Sequence, residues 1–297
     1  MNLRISPYIR LLRIPHWIKN IFIFVPLVYS RNLFHWEYTS VSLLAFAGFC
    51  FASSLVYILN DIVDKERDRL HPKKRLRPIA SGEVTTGKAN ILMAVFALLT
   101  IAVSLFLAPL YQLIITGYIL LNMAYSFWLK DIVLLDIFSI AGGFILRVWG
   151  GTVAIAVEAS SWLMLITLFI SLFLAVMKRM SESELLDSEE QEQQLVRKVL
   201  ENYSKRFIDQ ISAVSAGSVI VFYAMYTVAP RTIKIFDTED LIYTTLFVVF
   251  GIFRYMYLVH RYKKGESTIE ILLKDAPTIV NAIFYISTTI LIVYKVI

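Results

Sequence analysis

The residues able to do chemistry are concentrated in one stretch, NDIVDKERDRLHPKKRLRPIASGEV, residues 60–84. It opens with Asn60, Asp61, Asp64 and Asp68. On a helix turning 100° per residue these four fall within an arc of about 100°, on one face. Glu66 points the other way. Three carboxylates on one stripe repel, and like charges one turn apart destabilise a helix. A hard divalent cation removes the repulsion, and Mg²⁺ takes one or two carboxylates together with phosphate oxygens and water. The cations that follow, Lys73, Lys74, Arg75 and Arg77, supply the complement. A metal clamps some oxygens of a polyphosphate while guanidinium and ammonium groups bind the others. A solvated loop accounts for the basic residues equally well, but not for the regular spacing of the aspartates.

The elements that must position this stretch are apolar. Of 297 residues, 58% are hydrophobic and 18% charged, against about 45–50% and about 25% in soluble domains. A membrane span needs about 20 mostly apolar residues. On that criterion nine spans are predicted, near 18–34, 40–60, 90–108, 110–128, 134–156, 161–178, 208–229, 241–260 and 277–296. The first is weakened by Lys19, Asn20 and Pro26, and the fifth carries Arg147 and the pairs Gly142-Gly143 and Gly150-Gly151. The expected fold class is all-α, a polytopic membrane protein formed as a single domain over 1–297, with polar loops at about 61–89 and 179–207. Cys50 is the only cysteine and lies in an apolar run, which excludes a disulfide framework and a cysteine metal site. The opening, MNLRISPYIRLLRIPHWIKN, reads as an interfacial segment rather than a cleaved signal. With that end in the cytoplasm, 24 of the 29 Lys and Arg fall on the cytoplasmic side and 4 on the other, Arg147 lying within a span. The positive-inside rule then places the polar loops in the cytosol and the chain in the cell membrane. No nucleic-acid partner is expected, and a homo-oligomer is left open.

NDxxDxxxD at the end of the second of nine spans resembles the first metal-binding motif of the UbiA-type prenyltransferase superfamily. The resemblance extends over the whole chain and implies nine helices around a central cavity that opens sideways to lipid. It also implies that Asn60, Asp61, Asp64 and Asp68 hold Mg²⁺ and a diphosphate, the aspartates being catalytic. Ordinary members carry a second aspartate motif after the sixth helix. Here that place reads SLFLAVMKRMSESELLD, with Lys178 and Arg179 where acids are expected, and Glu182 and Asp187 out of register. Cations in place of anions ask for a phosphate bound without metal, hence two phosphorylated substrates. RIPHWIKN (13–20), YSFWLKDIVLLD (125–136), KRMSE (178–182) and RYMYLVHRYKKGESTIEILLKD (254–275) are similar to the decaprenyl-phosphate phosphoribosyltransferase branch, though His16 departs from that branch's glutamine. That likeness implies transfer of 5-phosphoribose from phosphoribosyl diphosphate to a polyprenyl phosphate, with release of diphosphate.

Several further residues enter the expected site, each with an alternative beside it. Lys19 and Asn20 begin the first span, where a lysine either binds phosphate or snorkels to the interface. Arg147 either meets a phosphate or pairs with Asp136 or a backbone carbonyl. Tyr125 and Lys130 sit at a helix end, although a tyrosine there is also an ordinary interfacial anchor. Asp136 matches the branch pattern and Asp131 does not; either could meet ribose hydroxyls. The glycine pairs permit close helix packing. Residues 181–206 look like an amphipathic helix or lid. Two rival functions are an aromatic prenyltransferase using polyprenyl diphosphate, which needs the missing second acidic cluster, and a transporter, which would scatter ionisable residues through several spans.

Overall fold

The computed structural model describes residues 6–71, 74–186, 203–262 and 274–295. Among them are nine helices long and apolar enough to cross a membrane and no strand. They are α1 (Pro7–Tyr29), α2 (Trp36–Val63), α3 (Thr86–Ser104), α4 (Pro109–Phe127), α5 (Leu135–Ala154), α6 (Ser161–Leu186), α7 (Lys205–Thr227), α8 (Thr245–Tyr262) and α9 (Ala276–Val293). Local chemistry sets several starts. Thr85, Ser204 and Asp275 accept the backbone N–H of Lys88, Phe207 and Thr278 at 3.4, 3.2 and 3.0 Å, capping α3, α7 and α9. Within the spans, hydroxyls bond back to carbonyls one turn earlier, as Thr100 does to Phe96 and Ser171 to Thr167 at 2.7 and 2.6 Å. Such bonds satisfy the hydroxyls inside the helix itself.

The spans fall where hydrophobicity predicts, with one displacement. The first begins at Pro7, not near residue 18, and is composite: helix Pro7–Leu12, a 3-10 stretch Ile14–Phe24 and helix Val25–Tyr29. Its early turn is ordered by packing, because Leu11 is fully buried with Ile58, Ile79 and Val84. Residues 187–202, most of the expected lid, lie outside the described residues.

The chain divides into two compact units, Met1–Ala159 and Ser160–Ile297. In the first, α2 is central, packing on α1, α3, α4 and α5. Phe49, Tyr111, Tyr118 and Ile23 form its core, and the Tyr111 hydroxyl donates to the Ala45 carbonyl at 2.8 Å. Gly150 faces the Phe49 ring, and a Cβ on Gly151 would collide with the Ile23 backbone. That pair therefore lets α5 close on α1 and α2, as expected of small residues in membrane helices. In the second unit α6 packs on α7 and α8, and α8 on α9. There Arg254 grips Asp275 through two bonds of 3.0 and 2.7 Å.

Candidate active site

The acidic stripe forms at the end of α2, with one difference from expectation. The helix does not run on unbroken. α2 stops at Val63, Asp64 takes a non-helical conformation (φ −87°, ψ 4°), and a short helix Lys65–Leu70 follows. Bonds from the Asp64 N–H to the Asn60 carbonyl (2.9 Å) and from the Asp68 N–H to the Asp64 carbonyl (2.8 Å) keep the two pieces in register. The step at Asp64 divides the stripe. Asp61 and Asp68 face one way, while Asp64 accepts from the buried Lys130 ammonium at 2.5 Å.

Asp61 and Asp68 are 2% and 3% exposed. A carboxylate so buried is held there by partners, since an unpaired buried charge is strongly destabilising. Arg77 Nη1 donates to Asp61 Oδ1 at 3.2 Å and to Asp68 Oδ2 at 2.6 Å. Arg13 Nη2 donates to the same Asp61 Oδ1. Two carboxylates thus converge on one guanidinium nitrogen, Arg77 Nη1. Their hard oxygens suit Mg²⁺ and leave coordination sites for phosphate oxygens and water. Among the described residues no three acidic, histidine or cysteine side chains gather closely enough to hold a metal.

The remaining expected residues separate into groups. Asn20 is fully buried and wired, its Nδ2 donating to Cys50 Sγ and Ser53 Oγ, both at 3.3 Å. Its Oδ1 accepts from Arg147 Nε at 2.7 Å. Arg147 also donates to the Gly143 carbonyl (2.9 Å) and the Tyr118 hydroxyl (2.8 Å), with its guanidinium 4.7 Å from the Tyr118 ring. Of the alternatives open for Arg147, the backbone carbonyl is realised, and its side-chain partners are Asn20 and Tyr118. Lys19 makes no hydrogen bond or ion pair among the described residues and lies within electrostatic reach of Arg147, Arg13 and Tyr125. Asn60 and Tyr125 are half-buried and Asp136 fully buried, whereas Asp131 is exposed and 3.7 Å from Arg67. Arg75 is exposed; Lys73 and the side chain of Glu182 lie outside the described residues. In the second unit Lys178 is exposed on α6 and its neighbour Arg179 is 1% exposed.

Arg13 is the site residue that linear reasoning missed. It lies 48 positions from Asp61, in a conformation (φ 52°, ψ 44°) unusual for a residue with a side chain. Its signals in the sequence were its place at the head of RIPHWIKN and among the basic residues of the N-terminal segment.

Comparison with known proteins supplies the setting for this geometry. Residues 21–272 match the UbiA prenyltransferase family. The chain is 32% identical over 281 residues to a decaprenyl-phosphate phosphoribosyltransferase of Mycolicibacterium smegmatis, covering 91% of this chain and 87% of that one. It is 31% identical over 226 residues to the protein of the same name from Mycobacterium tuberculosis, covering 75% and 74%. A UbiA homolog from Archaeoglobus fulgidus, solved bound to GPP and Mg²⁺, shares the fold, with a TM-score of 0.72, 17% identity, and 97% and 100% of the two chains covered. A membrane-embedded all-α chain with paired carboxylates at the end of its second helix, this protein belongs to the UbiA prenyltransferase family and is a transferase.

Proposed function

We propose that the protein moves 5-phosphoribose from phosphoribosyl diphosphate to a polyprenyl phosphate, as one membrane domain whose site faces the cytosol. The observation that carries this reading is the convergence of buried Asp61 and Asp68 on the Arg77 guanidinium, with Arg13 on the same Asp61 oxygen. That is a site for one metal-bound diphosphate. The relatives named decaprenyl-phosphate phosphoribosyltransferase support the choice of sugar donor and lipid acceptor. So does the basic pair Lys178-Arg179, present where a second acidic motif would serve a prenyl diphosphate. The surplus of Lys and Arg in alternate loops supports the cytosolic orientation.

In this scheme Asn60, Asp61, Asp64 and Asp68 would hold Mg²⁺, which when bound lowers the cost of charge developing on the departing diphosphate. Of these, Asp64 is held by Lys130. Arg77 and Lys19 serve as cations for phosphate oxygens, Lys19 having no hydrogen bond or ion pair among the described residues to give up. The bond from ribose C1 to the diphosphate oxygen breaks, and an acceptor phosphate oxygen bonds to C1. A phosphate monoester, with a second pKa of about 6, is largely dianionic at neutral pH. It needs no strong general base, only positioning and charge compensation. The buried Arg147–Asn20–Tyr118 network braces α1 against α5, so that Lys19 is presented at a fixed depth.

The test is to incubate membranes carrying the protein with labelled phosphoribosyl diphosphate and polyprenyl phosphate, against labelled prenyl diphosphate and 4-hydroxybenzoate. Label is expected in lipid only from the first pair, with Mg²⁺ present, and Asp64→Asn is expected to abolish it without loss of folded protein. Label entering only from the prenyl diphosphate overturns the assignment.

A further inference from the structure

Arg13 has been given no part in the reaction, yet it occupies the acidic centre. Its Nη2 and the Nη1 of Arg77 converge on one atom, Asp61 Oδ1. The backbone on its N-terminal side is fixed: the Leu12 carbonyl accepts from Ser54 Oγ at 2.9 Å, and Ser54 Oγ accepts from Trp17 Nε1 at 3.0 Å. Its guanidinium lies 4.8 Å from the centre of the Tyr57 ring, one turn before Asp61 on α2. It is also within electrostatic reach of Lys19. Arg13 therefore has its main chain anchored through Leu12, while its guanidinium is held by Asp61 and the Tyr57 ring alone among the described residues.

One carboxylate oxygen cannot serve two arginines and a divalent ion together, because the three cations repel. A guanidinium displaced from a carboxylate finds an equivalent partner in a diphosphate, whose oxygens match its planar fork. We infer that Arg13 is a place-holding cation: it neutralises Asp61 before the donor arrives and turns, over the Tyr57 ring, onto the donor's diphosphate as metal and donor load. The inference rests on the metal–diphosphate reading above. It makes Arg13 a donor-binding residue and makes metal alone compete with it. Metal and diphosphate together are then favoured over either by itself.

The test uses the full-length purified protein, Mn²⁺ as a paramagnetic stand-in for Mg²⁺, and inorganic diphosphate as the probe. In Arg13→Gln, Mn²⁺ alone is expected to bind about threefold more tightly, since Asp61 has lost a competing partner. Diphosphate in the presence of Mn²⁺ is expected to bind about tenfold more weakly, for want of a charge-assisted bond. A residue that merely braces the fold would weaken both, so Mn²⁺ binding unchanged or weakened in Arg13→Gln overturns the proposal. Should that variant fail to fold, Arg13→Lys carries the test. It keeps the charge without the fork, and is expected to lose diphosphate affinity with Mn²⁺ binding unchanged; full diphosphate affinity overturns the proposal. A wild-type chain that binds no Mn²⁺ overturns the parent reading and this one with it. Wild-type binding without the opposed shifts overturns this one alone.

Discussion

At the scale of single residues, buried charge decides what the site is. Asp61, Asp68, Lys130 and Arg147 are all 5% exposed or less, and each side chain is bonded to at least one polar partner, Asp61 to two and Arg147 to three. Arg147 has the most to lose. In Arg147→Met, Asn20 Oδ1 and the Tyr118 hydroxyl each lose their arginine donor, and an unsatisfied buried polar group costs about 1–3 kcal/mol. The variant is expected to melt several degrees lower in detergent, measured by thermal shift, with loss of donor and acceptor turnover following the loss of the α1–α5 brace. An unchanged melting temperature would show the network to be dispensable. The acidic residues themselves were legible because their spacing coincides with the helical period. Arg13 was not, because its contact with Asp61 depends on a left-handed turn and on how α1 lies along α2, neither of which a linear pattern encodes.

At the scale of elements, the apolar runs dictated the helices and small residues dictated how closely they meet. The role of Gly150-Gly151 could be read in advance as close packing. Its partners, Phe49 and the Ile23 backbone, could not, since nothing in one helix names its neighbour. The loop after α2 is also less of a loop than its polarity suggests. Ile79 and Val84 are 1% exposed and pack with Leu11 and Ile58, which brings Arg77 back over the carboxylates. In the second unit, Asp275 is tied to Arg254 and caps α9 through Thr278. The Arg254 guanidinium bonded to its carboxyl holds Asp275 well below the usual carboxylate range. A carboxyl with a depressed folded-state pKa lends stability above its unfolded value and withdraws it as pH falls. Wild type is therefore expected to melt higher than Asp275→Asn at pH 7, with the gap narrowing once the pH drops below about 4. Asn keeps the cap, so the difference reports the ion pair. A gap independent of pH would deny the ion pair that role.

At the scale of the whole molecule, the uneven distribution of Lys and Arg is the ground for the proposed orientation, and that orientation is directly measurable. Ser81 follows the acidic stretch and Glu239 lies in the turn before α8, both exposed. With the proposed orientation, a maleimide that cannot cross the bilayer is expected to label Ser81→Cys from the cytosolic side and Glu239→Cys from the opposite side. The reverse pattern would invert the topology. Cys50 makes the experiment simple. It is the chain's only cysteine, is 1% exposed and sits against the Asn20 amide. The natural sequence thus offers a silent background for thiol reagents, and spin labels or fluorophores can be attached singly at any exposed position without first deleting a native residue.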